Sequence, residues 1–144
     1  MTDHELLAAQ KALRSRFDDF RAALDRRDEA AFRVALADFH EHLRRWTATE
    51  ERVLLPALSR TSFPGRDPKR ELELEYVQIR ELTRYLLAQI DERATIADVL
   101  GLAENLGRRL AAHQAEMEKV YYPTAATLLT PEERRLLTEA APPD

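Results

Sequence analysis

The sequence predicts an all-α protein: an antiparallel up-down-up-down four-helix bundle with a short fifth helix at its C-terminal end. Three observations point there. Ala, Leu, Glu and Arg, all strong helix formers, dominate the 144 residues, while only three are glycine. Four long amphipathic segments follow one another with mostly short joints, the pattern of antiparallel neighbours. Finally, the stretch Trp46 to Pro56, WTATEERVLLP, has a gapless counterpart 67 residues later in His113 to Pro123, HQAEMEKVYYP. Leu36, Phe39, Leu43, Trp46, Glu50, Val53 and Ala57 step by three and four, and Ala103, Leu106, Leu110, His113, Met117, Val120 and Thr124 follow at the same offset. Each set therefore lies on one helical face, with Glu50 in the middle of an apolar stripe.

The first helix is expected from Asp3 to Asp25, opened by the capping-box spacing Thr2-x-x-Glu5. Its inner stripe is Leu6, Gln10, Leu13, Phe17, Phe20 and Leu24, and His4 falls on the opposite, solvent side. After the polar break Arg26-Arg27, Asp28 caps a second helix over about 29–58. Pro56 in its last turns, like Pro123 in the other copy, removes a backbone hydrogen bond and predicts a kink. His40 faces away from the stripe and His42 flanks it, so both read as rim histidines. The prolines, the glycine and the Asp-Pro pair of 59–69 mark the long connection between halves.

A third helix is expected over about 70–92, with Leu72, Tyr76, Ile79, Leu82, Leu86 and Ile90 inward, matching the first helix at an offset of 66. Thr95-x-x-Asp98 caps the fourth, which runs to about 128 or 129, and Thr130-Pro131-Glu132-Glu133 opens a fifth to about 140. The expected organisation is thus one domain, 1–144, made of two hairpins (about 3–58 and 70–129), a linker at 59–69 and a terminal helix. Tyr121 and Tyr122 are expected to pack the bundle end against that last helix.

Composition narrows the function classes. With no cysteine, disulfides, thiolate metal sites and a cysteine nucleophile are excluded, in keeping with a reducing compartment. The opening MTDHELL carries an acid and no long apolar run, so a signal peptide or membrane span is not expected, and a cytoplasmic protein is. Lys and Arg number 22 against 26 Asp and Glu, with both signs interleaved, which offers no basic face to nucleic acid. The excess of arginine over lysine suggests a GC-rich bacterial genome.

The polar residues on the inner stripes carry the functional question: Gln10, Trp46 through its ring nitrogen, Glu50, Tyr76 and His113, with Met117 beside them. The endings GluGluArgValLeuLeuPro at 50–56 and GluLysValTyrTyrPro at 118–123 resemble those of the hemerythrin-like, or HHE cation-binding, family, and the resemblance runs over essentially the whole chain. It implies a bundle in which histidines and carboxylates hold two irons for oxygen binding, iron handling or nitric-oxide-related chemistry. The family's four histidine positions fall on Gln10, Trp46, Tyr76 and His113, and its two carboxylate positions on Glu50 and Met117. Only Glu50 and His113 match, and the further histidine of hemerythrins proper falls on Arg80.

Two surviving ligands do not supply what two irons need. The sequence therefore predicts a degenerate metal site with no cofactor, in which a buried polar network replaces the ions and His113 is the partner that Glu50 requires. The expected role is binding or regulation, with a small ligand, a protein partner or self-association all open. Two alternatives accompany it. One is a single iron or zinc ion on Glu50, His113 and the Tyr76 phenolate, and the other is an acid-base enzyme using Glu50 and His113.

Overall fold

The computed structural model describes residues 3–140, with side chains from Glu5 onward, so the expected Thr2 cap and the exposure of His4 lie outside what it describes. Helix α1 is Asp3–Asp25, α2 covers 29–58, α3 is Pro68–Asp91, α4 covers 96–128 and α5 is Pro131–Ala140. No strand occurs among the described residues. Helices α1, α2, α3 and α4 pack in sequence, neighbour on neighbour, and α4 closes the ring against α1. Helix α5 crosses one end, lying on α1 and α2.

The helix starts follow from the side chains that precede them. Asp28 accepts from the Ala31 amide, Thr95 from that of Asp98, and Thr130 from that of Glu133, whose carboxylate accepts in return from the Thr130 amide. Helix α3 begins two residues before the expected Arg70. Asp67 accepts from the Arg70 amide, and Pro68, which has no N–H to leave unsatisfied, takes the first helical position. Both hairpins then turn through one device. Arg27 and Arg93 adopt left-handed backbone at φ 58°. Around them Asp28 N–H reaches Ala23 and Ala94 N–H reaches Gln89, while Arg27 and Arg93 reach Leu24 and Ile90. This is the Schellman closure, usually built on glycine.

The two prolines do more than kink. Residues Glu50–Leu54 and Met117–Tyr121 form π turns, which start 67 residues apart, and Leu55 and Tyr122 donate to the carbonyls of Glu50 and Met117, five residues back. A proline at 56 or 123 cannot donate to the carbonyl four residues before it, and its ring crowds that carbonyl. Widening the turn just ahead of the proline relieves the clash and keeps the helix continuous. The cost is phase. From the end of the second π turn onward Tyr121, Tyr122 and Ala125 are fully buried, whereas Val120 within the turn and Thr124 after it, which straight 3.6-residue periodicity puts inward, are only half-buried.

One contiguous core fills the bundle. At the hairpin end Phe17 meets Phe39 edge-on at 5.5 Å and Phe20 at 5.8 Å, and Gly107 of α4 lets the Phe17 ring approach, since a Cβ there would lie 3.2 Å from it. Partly exposed ion pairs, Arg16–Asp38, Arg33–Asp91 and Arg80–Glu51, tie neighbouring helices at 2.7 to 2.9 Å, and each contributes at most about 1 kcal/mol. A left-handed arginine is less favourable than glycine in the same conformation. Arg93→Gly is therefore expected to raise stability by about 1 kcal/mol, read as a higher urea midpoint with an unchanged slope. A lower midpoint would show that the arginine side chain contributes more than the backbone strain costs.

Candidate functional site at the bundle centre

All six inward residues singled out in the sequence are buried: Gln10 of α1, Trp46 and Glu50 of α2, Tyr76 of α3, and His113 and Met117 of α4. Glu50 sits at the first residue of the π turn and is 0 % exposed. A carboxylate so placed has lost its hydration, and neutral hydrogen-bond donors compensate only in part. Its Oε2 accepts from the Tyr122 hydroxyl at 3.1 Å. Its Oε1 has no hydrogen-bond partner, and neither do the Trp46 ring nitrogen nor the Tyr76 hydroxyl, although both side chains lie near enough to favour the charged carboxylate.

Burial raises the Glu50 pKa from 4.5 to about 7, against the opposing pull of His113, Tyr122, Tyr76 and Trp46. The Tyr76 and Tyr122 hydroxyls are held well above their ordinary range, by burial first and by the Glu50 charge second. Both stay protonated.

The direct hydrogen bond expected between Glu50 and His113 does not form. His113 Nδ1 lies 2.7 Å from Glu75 Oε1, and because a carboxylate only accepts, Nδ1 carries the hydrogen. In the neutral ring Nε2 is then the acceptor, and the Gln10 amide nitrogen lies 3.4 Å from it, a long and weak contact. The ring also packs edge-on against Tyr76, with centroids 5.6 Å apart. His113 thus acts on Glu50 through space while its own hydrogen bonds run to α1 and to the surface. Beside it a groove of about 320 Å³ between α3 and α4 is lined by Glu75, Gln78, Ile79, Arg109, Ala112, His113 and Glu116. One edge of the polar centre therefore reaches solvent.

Two members of this cluster escape the sequence reading. Tyr122, expected to pack the end of the bundle, also donates to Glu50, because the π turn advances it onto the inner face. Its neighbour Tyr121 donates to Glu71 at 2.9 Å and packs on Phe63 at 5.6 Å. The proline at 123 was the available signal, since it demands a local change of helical register. Glu75 lies one residue off the α3 stripe, and nothing in the spacing singled it out.

His40 and His42 stay at the rim, as expected from their faces. His42 lies 3.4 Å from Asp38, and His40 lines a second groove with Arg44, Arg80 and Arg84, its pKa lowered by partial burial and by the neighbouring arginines. Arg80 itself bonds Glu51 at 2.9 Å and the Thr47 hydroxyl at 3.1 Å, so it belongs to the α2–α3 seam.

An all-helical bundle with a polar, protonatable centre contributed by all four long helices defines the class of the molecule. The model of the hemerythrin HHE cation-binding domain matches residues 1–125, and the chain belongs to that family. No curated protein and no solved structure matches it. Among the described residues no helix is long and apolar enough to cross a membrane. Nor do any three or more His, Cys, Asp or Glu side chains there form a group that could hold a metal ion.

The residues at the centre do not fit a pair of irons. Indole has no lone pair to give and presents an N–H donor, Met117 offers only a soft thioether, and the two nitrogens of His113 face Glu75 and Gln10.

Two outcomes follow. Because the folded-state pKa of Glu50 lies above its unfolded value, the native protein keeps a proton that the unfolded chain releases. The resulting contribution is complete below pH 4.5 and is lost as pH rises through about 7, a total of about 3 kcal/mol. Glu50→Gln should flatten the stability profile between those limits and be the more stable protein at pH 8, as checked by denaturation at a series of pH values. His113→Ala removes a buried ring and one bond to a partly exposed acid, so a loss of about 2 kcal/mol is expected, below the 3 to 5 kcal/mol of a broken buried ion pair. Urea midpoints separate the two.

Proposed function

We propose that this protein is a hemerythrin-family bundle with a degenerate metal site, whose buried polar network stands in place of two irons. Its role on this reading is binding or regulatory, in the bacterial cytoplasm, and neither oxygen carriage nor catalysis. The observation that supports the reading best is the Trp46 ring nitrogen, an unpartnered buried donor near the buried Glu50 carboxylate. An N–H directed at a carboxylate competes with any cation for the same oxygen. The engagement of His113 by Glu75 adds to this, because it draws the surviving imidazole towards the α3–α4 groove and away from Glu50.

The groove supplies the binding half of the proposal. It is the place where a ligand or a partner side chain touching His113 and Glu75 would sense, through His113, the charge state of Glu50.

The second reading, one iron or zinc ion on Glu50, His113 and Tyr76, draws support from the unpartnered Glu50 Oε1 and Tyr76 hydroxyl. Metal analysis decides between them. Protein purified from cells grown with added iron or zinc is expected to carry far less than one ion per chain, with the same trace in Glu50→Ala. One ion per chain that disappears in Glu50→Ala and Tyr76→Phe would establish the single-metal reading instead, and two ions would overturn both.

A further inference from the structure

Three fully or nearly fully buried side chains each present a polar atom without a partner: Glu50 Oε1, Trp46 Nε1 and the Tyr76 hydroxyl oxygen. Trp46 and Tyr76 both act on the Glu50 carboxylate, so their polar atoms lie beside it, yet neither reaches it in full hydrogen-bonding geometry. A native core rarely leaves one such atom unpaired, and three together ask for an occupant. We infer that Trp46, Glu50 and Tyr76 form a buried binding site for one neutral, water-sized hydrogen-bonding molecule, a single water in the resting protein, which bridges the indole N–H, the carboxylate and the phenol.

The donor and acceptor inventory fixes the class of occupant. Indole N–H only donates, an ionised carboxylate only accepts, and a phenol hydroxyl does either. The guest must therefore accept from Trp46 and donate to Glu50, with Tyr76 completing a third bond. Water does all of this, and two to four such partners are what a buried water requires. A cation is opposed by the indole N–H, and an anion by the charged Glu50. A guest with several non-hydrogen atoms meets the side chains of Tyr122 and Met117, both fully buried against the same centre.

The inference rests on the metal-free reading of this centre, and a crystal structure of the full chain at a resolution that shows ordered water separates the two. Expected is one isolated density peak within about 2.6 to 3.2 Å of at least two of the three atoms, with no anomalous signal at iron or zinc edges. An anomalous peak there would overturn the metal-free reading and this inference together. Trp46 or Tyr76 bonded directly to Glu50, with nothing between, would overturn this inference and leave the metal-free reading standing.

A second measurement uses Trp46→Phe, Tyr76→Phe and the double variant in urea denaturation. Loss of either partner loosens the shared guest, so the midpoint shift of the double variant should be smaller than the two single shifts added. Fully additive shifts would mean that no common molecule links the two side chains.

Discussion

The carboxylate of Glu50, placed at the centre of an apolar bundle, is the constraint to which the rest of the interior answers. Moving an isolated charge of this kind into a protein costs several kcal/mol even after relaxation, far more than any one surface ion pair in this molecule returns. The bundle meets that cost in two ways at once. It lifts the pKa to about 7, so that near neutrality the group is charged only part of the time, and it surrounds the charge with neutral donors. Tyr122, Tyr76 and Trp46 are all large amphipathic side chains, able to fill core volume with one end and address a polar atom with the other. A fully apolar substitution at any of these positions would pack as well but would leave the acid with less.

Backbone register supplies part of that arrangement. Tyr122 reaches Glu50 because a π turn over Met117–Tyr121 rotates everything beyond it, and the turn exists because Pro123 forbids ordinary helix hydrogen bonding behind it. At the corresponding place in α2, Leu54, Leu55 and Leu58 are buried together with Val53 and Ala57 of the straight stripe. A proline that costs the helix one hydrogen bond thereby sets which side chains line the centre. The equivalent residues of the two motif copies, Leu55 and Tyr122, are both fully inside, yet only one has a hydroxyl to give.

Much of this was legible in the sequence. The helix bounds followed from caps and stripes because those signals are local: Asp28, Thr95 and Thr130 each satisfy an amide within three residues. The burial of Gln10, Trp46, Glu50, Tyr76, His113 and Met117 followed from periodicity, which holds as long as the helix keeps 3.6 residues per turn. It stopped being reliable at the prolines, and Tyr122 was lost there. The partner of His113 was illegible for a different reason. A stripe says which residues point inward but nothing about lateral neighbours across a helix seam, and Glu75, one residue off the stripe and partly exposed, lies on such a seam.

The two motif copies put Glu50 opposite Met117 and Trp46 opposite His113, so the chemistry of the centre is divided unequally between the halves. A pair of metal ions needs donors that converge from both halves on the same points. Here they diverge: the carboxylate turns to a tyrosine hydroxyl inside the core, while the imidazole turns to an acid at the edge of a solvent groove. What remains between them is electrostatic, since His113 lowers the Glu50 pKa without a hydrogen bond to the carboxylate. Coupling of that kind transmits a change at the groove to a group with no solvent exposure of its own, and it does so without any ion at the centre.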